Sequence, residues 1–303
     1  MSKHPPKIRA QAKSGVGLIR EGLSIDFYMH PHSKMGQGVI RALDAYLRAV
    51  GSQSLSWYAD EEGELQKLDD ASLARIRRET LEDSRLIIEL LGKSRVEQRY
   101  QFEYWGKRPD LPVMPYNPGA MGVVSFWLPT EYLEEHGPTR VRELAMELAS
   151  SLPFICSGYG GLSFHCNPSL VGVLDEVRKL CFRYPGLDIP NQDSLSWNIG
   201  SRVRGPAWLT FLGQPLLGQL GGVAELRSRL RSEGTTVQEM EGDRAVITLG
   251  AWPEAGDTER GEVLPAYRDL ARVLEPWLYH EERGRRPTFT PEDMLRWERR
   301  FLD

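Results

Sequence analysis

The stretch from Gly122 to Cys166, GVVSFWLPTEYLEEHGPTRVRELAMELASSLPFICSGYGGLSFHC, reads as strand, helix, strand and strand in one pass. Val123, Val124, Phe126, Trp127 and Leu128 make a β-rich apolar run closed by Pro129, which cannot donate to a ladder. Pro138 and Thr139 then mark a helix start. Val141, Leu144, Ala145, Leu148 and Leu152 recur at helical spacing over a charged back of Arg140, Arg142, Glu143 and Glu147, and Pro153 ends the run. Phe154, Ile155 and Cys156 lead into Ser157-Gly158-Tyr159-Gly160-Gly161, glycine-rich enough to reverse the chain, before Leu162, Phe164 and Cys166 alternate as a returning strand.

The same order of signals occurs on both sides. Upstream, Leu23, Ile25 and Phe27 alternate up to Pro31, and Val39, Ile40, Leu43, Tyr46, Leu47 and Val50 line a helix closed by Gly51. Leu55-Ser56-Trp57-Tyr58 then resumes extended structure. Downstream, Trp208 to Leu212 precedes a helix carrying Leu217, Leu220, Val223, Leu226 and Leu230, and Thr235–Glu239 with Ala245–Leu249 form a hairpin across Glu241-Gly242-Asp243. The expected fold class is α+β: two or three packed β-α-β-β units with mostly antiparallel sheets and helices on one face. Two origins fit this recurrence, true internal repetition or the commonness of the motif. The strands begin near residues 23, 123 and 208, too unevenly for a solenoid.

The chain has 303 residues, 41% hydrophobic and 26% charged, with a net charge of -4. That balance opposes a nucleic-acid binder dominated by one basic face, and the chain is expected to contact no nucleic acid directly. No run approaches the 18 or so apolar residues of a membrane helix, and the N-terminus lacks a signal-peptide core, so a cytoplasmic protein is expected. Cys156, Cys166 and Cys181 are an odd number without C-x-x-C spacing and read as reduced thiols.

Residues 59 to 70, ADEEGELQKLDD, set Asp60, Glu61, Glu62, Glu64, Asp69 and Asp70 against Lys67. The block reads either as a solvated turn with an acidic helix N-terminus, or as a row of carboxylates that mimics phosphate for a cationic partner. Further on, Leu86 to Leu90 and then Tyr100, Phe102 and Tyr104 follow strand patterns, and a long proline-rich connection follows. Tyr104, Trp105 and Tyr116 with Arg108 and Asp110 have an interface-like composition; aromatic residues that anchor a loop to its own core fit equally well.

Catalytic patterns fail one after another. His30-Pro31-His32 could share a face toward a metal, yet no third ligand stands nearby. Gly213 to Gly218 has phosphate-loop glycine spacing, but Gln219 and Leu220 stand where Lys and Ser or Thr are needed. His280-Glu281-Glu282-Arg283-Gly284 lacks the second histidine of a metalloprotease helix, and there is no G-x-S-x-G elbow. Pro109-Asp110 starts like a PD-(D/E)-x-K nuclease site, but none of the eight lysines has Asp or Glu two positions before it. No catalytic residue, cofactor or metal ligand is assigned.

The Trp57-Tyr58 strand with its acidic turn, Tyr159-Gly160, the run Arg204-Gly205-Pro206-Ala207-Trp208-Leu209-Thr210-Phe211-Leu212-Gly213, Leu220-Gly221-Gly222, Pro253-x-x-Gly256-Asp257 and Leu264-Pro265-x-Tyr267 together resemble bacterial type VI secretion immunity proteins. Those proteins are paired with VRR-Nuc and related PD-(D/E)-x-K nuclease toxins. The resemblance implies a cytoplasmic non-enzyme that binds a cognate toxin encoded nearby and covers its active site or DNA-binding groove. It supplies no contact residues. The candidates for toxin contact are therefore the acids Asp60, Glu61, Glu62 and Glu64 and the loop residues Tyr104, Trp105, Asp110 and Tyr116. The expected organisation is a flexible N-terminal segment over 1–14, an immunity-type domain over 15–281, and a tail with a helix over 282–303. The alternatives are an enzyme whose site gathers distant residues such as His30, His165 and Asp257, or a structural or regulatory part of the secretion system.

Overall fold

The computed structural model describes residues 5–11, 17–32, 34–92, 100–108, 110, 117–152, 155–166, 171–281 and 289–303. In chain order the elements are β1 (Arg9–Gln11), β2 (Gly17–Met29), α1 (Met35–Val50), β3 (Trp57–Ala59), β4 (Leu65–Lys67), α2 (Asp70–Leu81), β5 (Ile87–Leu91), β6 (Gln101–Trp105), β7 (Gly122–Pro129), α3 (Thr130–Ser151) and β8 (Ile155–Cys166). They continue with α4 (Val173–Arg183), α5 (Gln192–Ser196), β9 (Leu209–Leu212), α6 (Leu216–Gln219), α7 (Gly222–Arg229), β10 (Thr235–Met240), β11 (Arg244–Leu249), α8 (Pro265–Leu274) and α9 (Pro291–Glu298). The class is α+β with antiparallel pairing, as expected. Two compact units divide the chain: a central unit of Ser24–Gly158 with Asn191–Ser201, and a terminal unit of Met1–Leu23, Tyr159–Pro190 and Arg202–Asp303.

In the central unit the strand order is β2-β7-β6-β5-β3-β4. Alternation decides which side chains face the helices. Phe102 stands opposite Phe126, and Leu90 opposite Phe102. The Phe126 ring meets Phe27, Phe102 and Tyr46 at centroid distances of 6.5, 5.4 and 5.3 Å. Tyr46 lies on α1 and donates its phenol proton to the Trp127 carbonyl, a hydrogen bond that satisfies a hydroxyl buried in the core. α1 ends at Gly51, whose φ of 96° suits glycine and whose N–H returns to Leu47 O. α2 opens on a capping box between Asp69 and Ser72, so the acidic helix start serves its own backbone. Gly36 lies where a Cβ would sit 2.2 Å from Thr80 O, letting α1 and α2 approach closely.

In the terminal unit the order is β10-β11-β9-β8-β2, with β1 antiparallel to the start of β2. Trp208, Phe164, Phe211 and Tyr267 are its large buried side chains. The segment expected to be flexible holds β1, and Ile8 N donates to the buried Glu21 carboxylate at 2.8 Å. Within the expected C-terminal tail, residues 289–303 pack: Trp297 and Phe301 are buried, and α9 carries the capping box of Thr290 and Asp293.

Three expectations are corrected. The glycine-rich Ser157–Gly161 does not turn; it lies inside the single strand β8. A Cβ on Gly158 would meet Phe27 Cδ1 at 2.6 Å, and one on Gly160 would meet Leu209 at 3.2 Å, so these glycines admit neighbours rather than reverse the chain. The helix before β8 begins at Thr130, not at Pro138. Gly137 (φ 76°) breaks it, and Pro138 restarts it. The third-unit helix is two, because Gly221 and Gly222 have φ of 87° and 79°.

Gly36→Ala tests the close approach of α1 and α2. Alanine is the better helix former by about 1 kcal/mol, yet the Thr80 carbonyl cannot yield as a flexible side chain would. A net loss of roughly 1–3 kcal/mol is expected in urea unfolding; a gain would show that the helices can separate at no cost.

Candidate interaction surface

The acidic block folds into the β3–β4 hairpin, in which Trp57 pairs with Lys67, Tyr58 with Gln66 and Ala59 with Leu65. Its four acids divide in role. Asp60 accepts hydrogen bonds from Gln66 Nε2 at 2.9 Å, Glu64 N at 2.8 Å and Glu62 N at 3.1 Å, and the Gln66 bond foremost holds its carboxyl below the usual range. Asp60 thus secures the turn with Gly63 (φ 83°). Glu61, Glu62 and Glu64 are exposed at its tip.

The other candidate stretch is divided more sharply. Tyr104 is 3% exposed, faces the helices with Phe102, and is a core residue rather than a surface contact. Trp105 lies on the opposite face and is partly exposed. Asp110 is exposed and pairs with Arg108 at 3.3 Å. Tyr116 lies outside the described residues. Of the described candidates here, Trp105 and Asp110 reach the surface and Tyr104 does not.

Alternation also places groups the charge block did not reveal. On the face turned away from α1, Glu89 of β5 stands directly opposite Glu103 of β6, and Glu103 opposite Ser125 of β7. Gln101 Nε2 donates to Glu103. Burial, then the Glu89 and Asp26 carboxylates, raise the Glu103 carboxyl to about 8, with Asp193 adding to the shift. Asp26 itself takes hydrogen bonds from Ser24 Oγ at 2.8 Å and from Gln192 Nε2 at 3.2 and 3.3 Å. Lys107 lies 4.1 Å from the Trp197 ring centroid; burial lowers its pKa, and Asp193 works against that shift. The sequence signal for this pair was one glutamate at the centre of each of two consecutive strands, with Ile87 and Leu91 beside Glu89 and Gln101 and Trp105 beside Glu103 on the same parity.

Residues proposed for alternative chemistry are otherwise engaged. Arg183 forks onto Asp257 at 3.0 and 2.8 Å, and this pairing first of all holds the Asp257 carboxyl low. Burial takes His165 down to about 4, so its imidazole is neutral, and pushes the Cys156 thiol up to about 11. Among the described residues, no group of three or more His, Cys, Asp or Glu is placed to hold a metal ion, and no helix is long and apolar enough to cross a membrane.

An antiparallel α+β fold with acidic surface groups defines the class, and comparison with known proteins gives the family. The family described as "TsiV: Type VI immunity for VRR-NUC" matches residues 38–301. The chain belongs to that family. Among solved structures it is similar to the Pseudomonas aeruginosa T6SS protein PA0821, at 22% identity and a TM-score of 0.82, over 99% of this chain and 88% of that one. No curated protein matches.

Two measurements check the assignment of roles. Asp60→Ala is expected to speed hydrogen exchange of the Glu62 and Glu64 amides, whereas Glu61→Gln leaves them protected. For Glu103, the folded-state value of about 8 lies above the ordinary carboxyl value of 4.5, so the folded protein holds the extra proton between them. Its contribution to stability is therefore present at low pH and falls as pH rises from 4.5 to 8. The slope is at most about 1.4 kcal/mol per pH unit. Comparing urea unfolding of Glu103→Gln with wild type across that window should reveal the lost slope; identical profiles would remove the raised acid.

Proposed function

We propose that this protein is an immunity protein that binds a cognate VRR-NUC nuclease and blocks its active site or DNA-binding groove, without catalysing a reaction itself. Membership of the type VI immunity family across residues 38–301 carries the reading. The chemistry agrees with it. A nuclease that handles a phosphate backbone presents cations to its substrate, and a partner with exposed carboxylates competes for them. Glu61, Glu62 and Glu64 form such a group at the hairpin tip, with Asp60 setting the turn that displays them. Trp105 and Asp110 extend the candidate contacts. The expected place of action is the cytoplasm, where the substrate nucleic acid lies.

Mixing equimolar purified chain with the nuclease domain encoded beside it should stop DNA cleavage and give one co-eluting complex on size exclusion. Reversing Glu61, Glu62 and Glu64 to Lys is expected to slow association by about tenfold or more at low salt, with the difference shrinking as salt rises. Absence of both complex and inhibition would overturn the reading.

A further inference from the structure

Residues 191–201 belong to the central unit, although the chain up to Pro190 and from Arg202 belongs to the terminal one. They lie on the sheet face turned away from α1. On that face the neighbouring strands β2, β7, β6 and β5 carry Asp26, Ser125, Glu103 and Glu89, on the parity opposite to Phe27, Phe126, Phe102 and Leu90. Gln192 Nε2 donates to Asp26 at 3.2 and 3.3 Å, Asn117 Nδ2 to Trp197 O at 2.8 Å, and Met121 N to Ser196 O at 2.6 Å. Gly200 N donates to Gly119 O at 2.9 Å, and Leu195, Ser196 and Ile199 are buried. Two charged groups meet at this contact. Asp193, exposed on α5, acts on Glu103, and Lys107 lies 4.1 Å from the Trp197 ring centroid.

We propose that residues 191–201 form a strap that stays closed over the central sheet while the Glu103 side chain is an uncharged acid and lifts when it becomes a carboxylate. The inference does not depend on the nuclease reading. Closed, the strap covers this face and holds Asp193 near a site that already contains Asp26 and Glu89. A charge on Glu103 would then lack water and face carboxylates from β2, β5 and α5. Gln101 donates to Glu103 from its own strand, and Lys107 is the cation beside Asp193. Lifting the strap returns water and takes Asp193 away, so the open form holds the Glu103 proton less tightly than the closed form. A proton held more tightly in the closed form favours closure at low pH, and that advantage is lost as pH rises to the closed-form value of about 8. Lys107, whose pKa burial lowers, gives up its charge and its hold on Trp197 in the same direction, so the two groups need separate tests. The segment is short and held by a few hydrogen bonds, as a locally opening element must be.

Hydrogen exchange of the full chain from about pH 6 to about pH 9, corrected for intrinsic rates, reads the strap directly. Amides of 191–201 in the wild type are expected to lose protection as pH rises, by up to about tenfold per pH unit, and to level off above pH 8. The amides of Phe102 and Phe126, in the core of the same unit, should keep theirs. Glu103→Gln, which cannot ionise, should leave the strap protected across the range, and Asp193→Asn should shrink the response. If Glu103→Gln fails to fold, Asp193→Asn decides, and an undiminished response there overturns the proposal. Equal wild-type protection at both ends of the range overturns it, as does a loss shared by Phe102 and Phe126. A response that survives in Glu103→Gln overturns it too and assigns the titration to Lys107.

Discussion

The Phe126 ring, held among Phe27, Phe102 and Tyr46, is the contact on which the central unit depends. A strand turns successive side chains to opposite faces, so fixing Phe126 toward α1 fixes the parity of every residue on β7. Register then carries that parity across the neighbours. Phe102 opposite Phe126 puts Glu103 opposite Ser125, and Glu103 in turn meets Glu89. A slip of one residue would drive these acids into the aromatic core and expose the rings. The pairing of these two acids on the far face is thus a consequence of core packing, and burial there keeps the Glu103 carboxyl protonated up to about 8.

Glycine does three different jobs here, and this explains what the sequence could and could not reveal. Alternation and helical spacing were enough to place β2, α1, β5, β6, β7 and the β10–β11 hairpin, because each carries its own period. Gly51 was also legible, since a helix end needs a positive φ and the apolar stripe stops there. Gly158 and Gly160 were not. Their role is to admit Phe27 and Leu209, residues far away in the chain, and nothing local distinguishes such a glycine from one that turns. The same holds for the start of α3, where the break at Gly137 and the restart at Pro138 hid an earlier helical stretch.

The acids show a parallel division. A charge block is visible in sequence, but its internal roles depend on hydrogen bonds that close over several residues. Asp60 and Asp69 resemble Glu61 and Glu62 in composition, yet both accept from nearby donors and shape the backbone. Asp257 is consumed by Arg183. Conversely, Glu89 and Glu103 lie 14 positions apart and outside any charge run, and only strand pairing brings them together. Tyr104 and Trp105 are adjacent in sequence and face opposite ways, which is why a composition-based interface assignment could be right about only one of them.

In the proposed complex the exposed tip acids and the half-buried Glu103 would contribute differently. The hairpin-tip glutamates are exposed and solvated, so their field extends about a Debye length and acts mainly on the rate of encounter, where it is weakened by salt. Glu103 differs: burial raises its carboxyl to about 8, so it holds a proton at neutral pH and adds little to that field. The tip needs only a turn that Asp60 and Gly63 keep formed, whereas the surroundings that hold the Glu103 proton need the full register set by Phe126. Loss of packing in the core would therefore release that proton before it disturbed the charges that steer encounter.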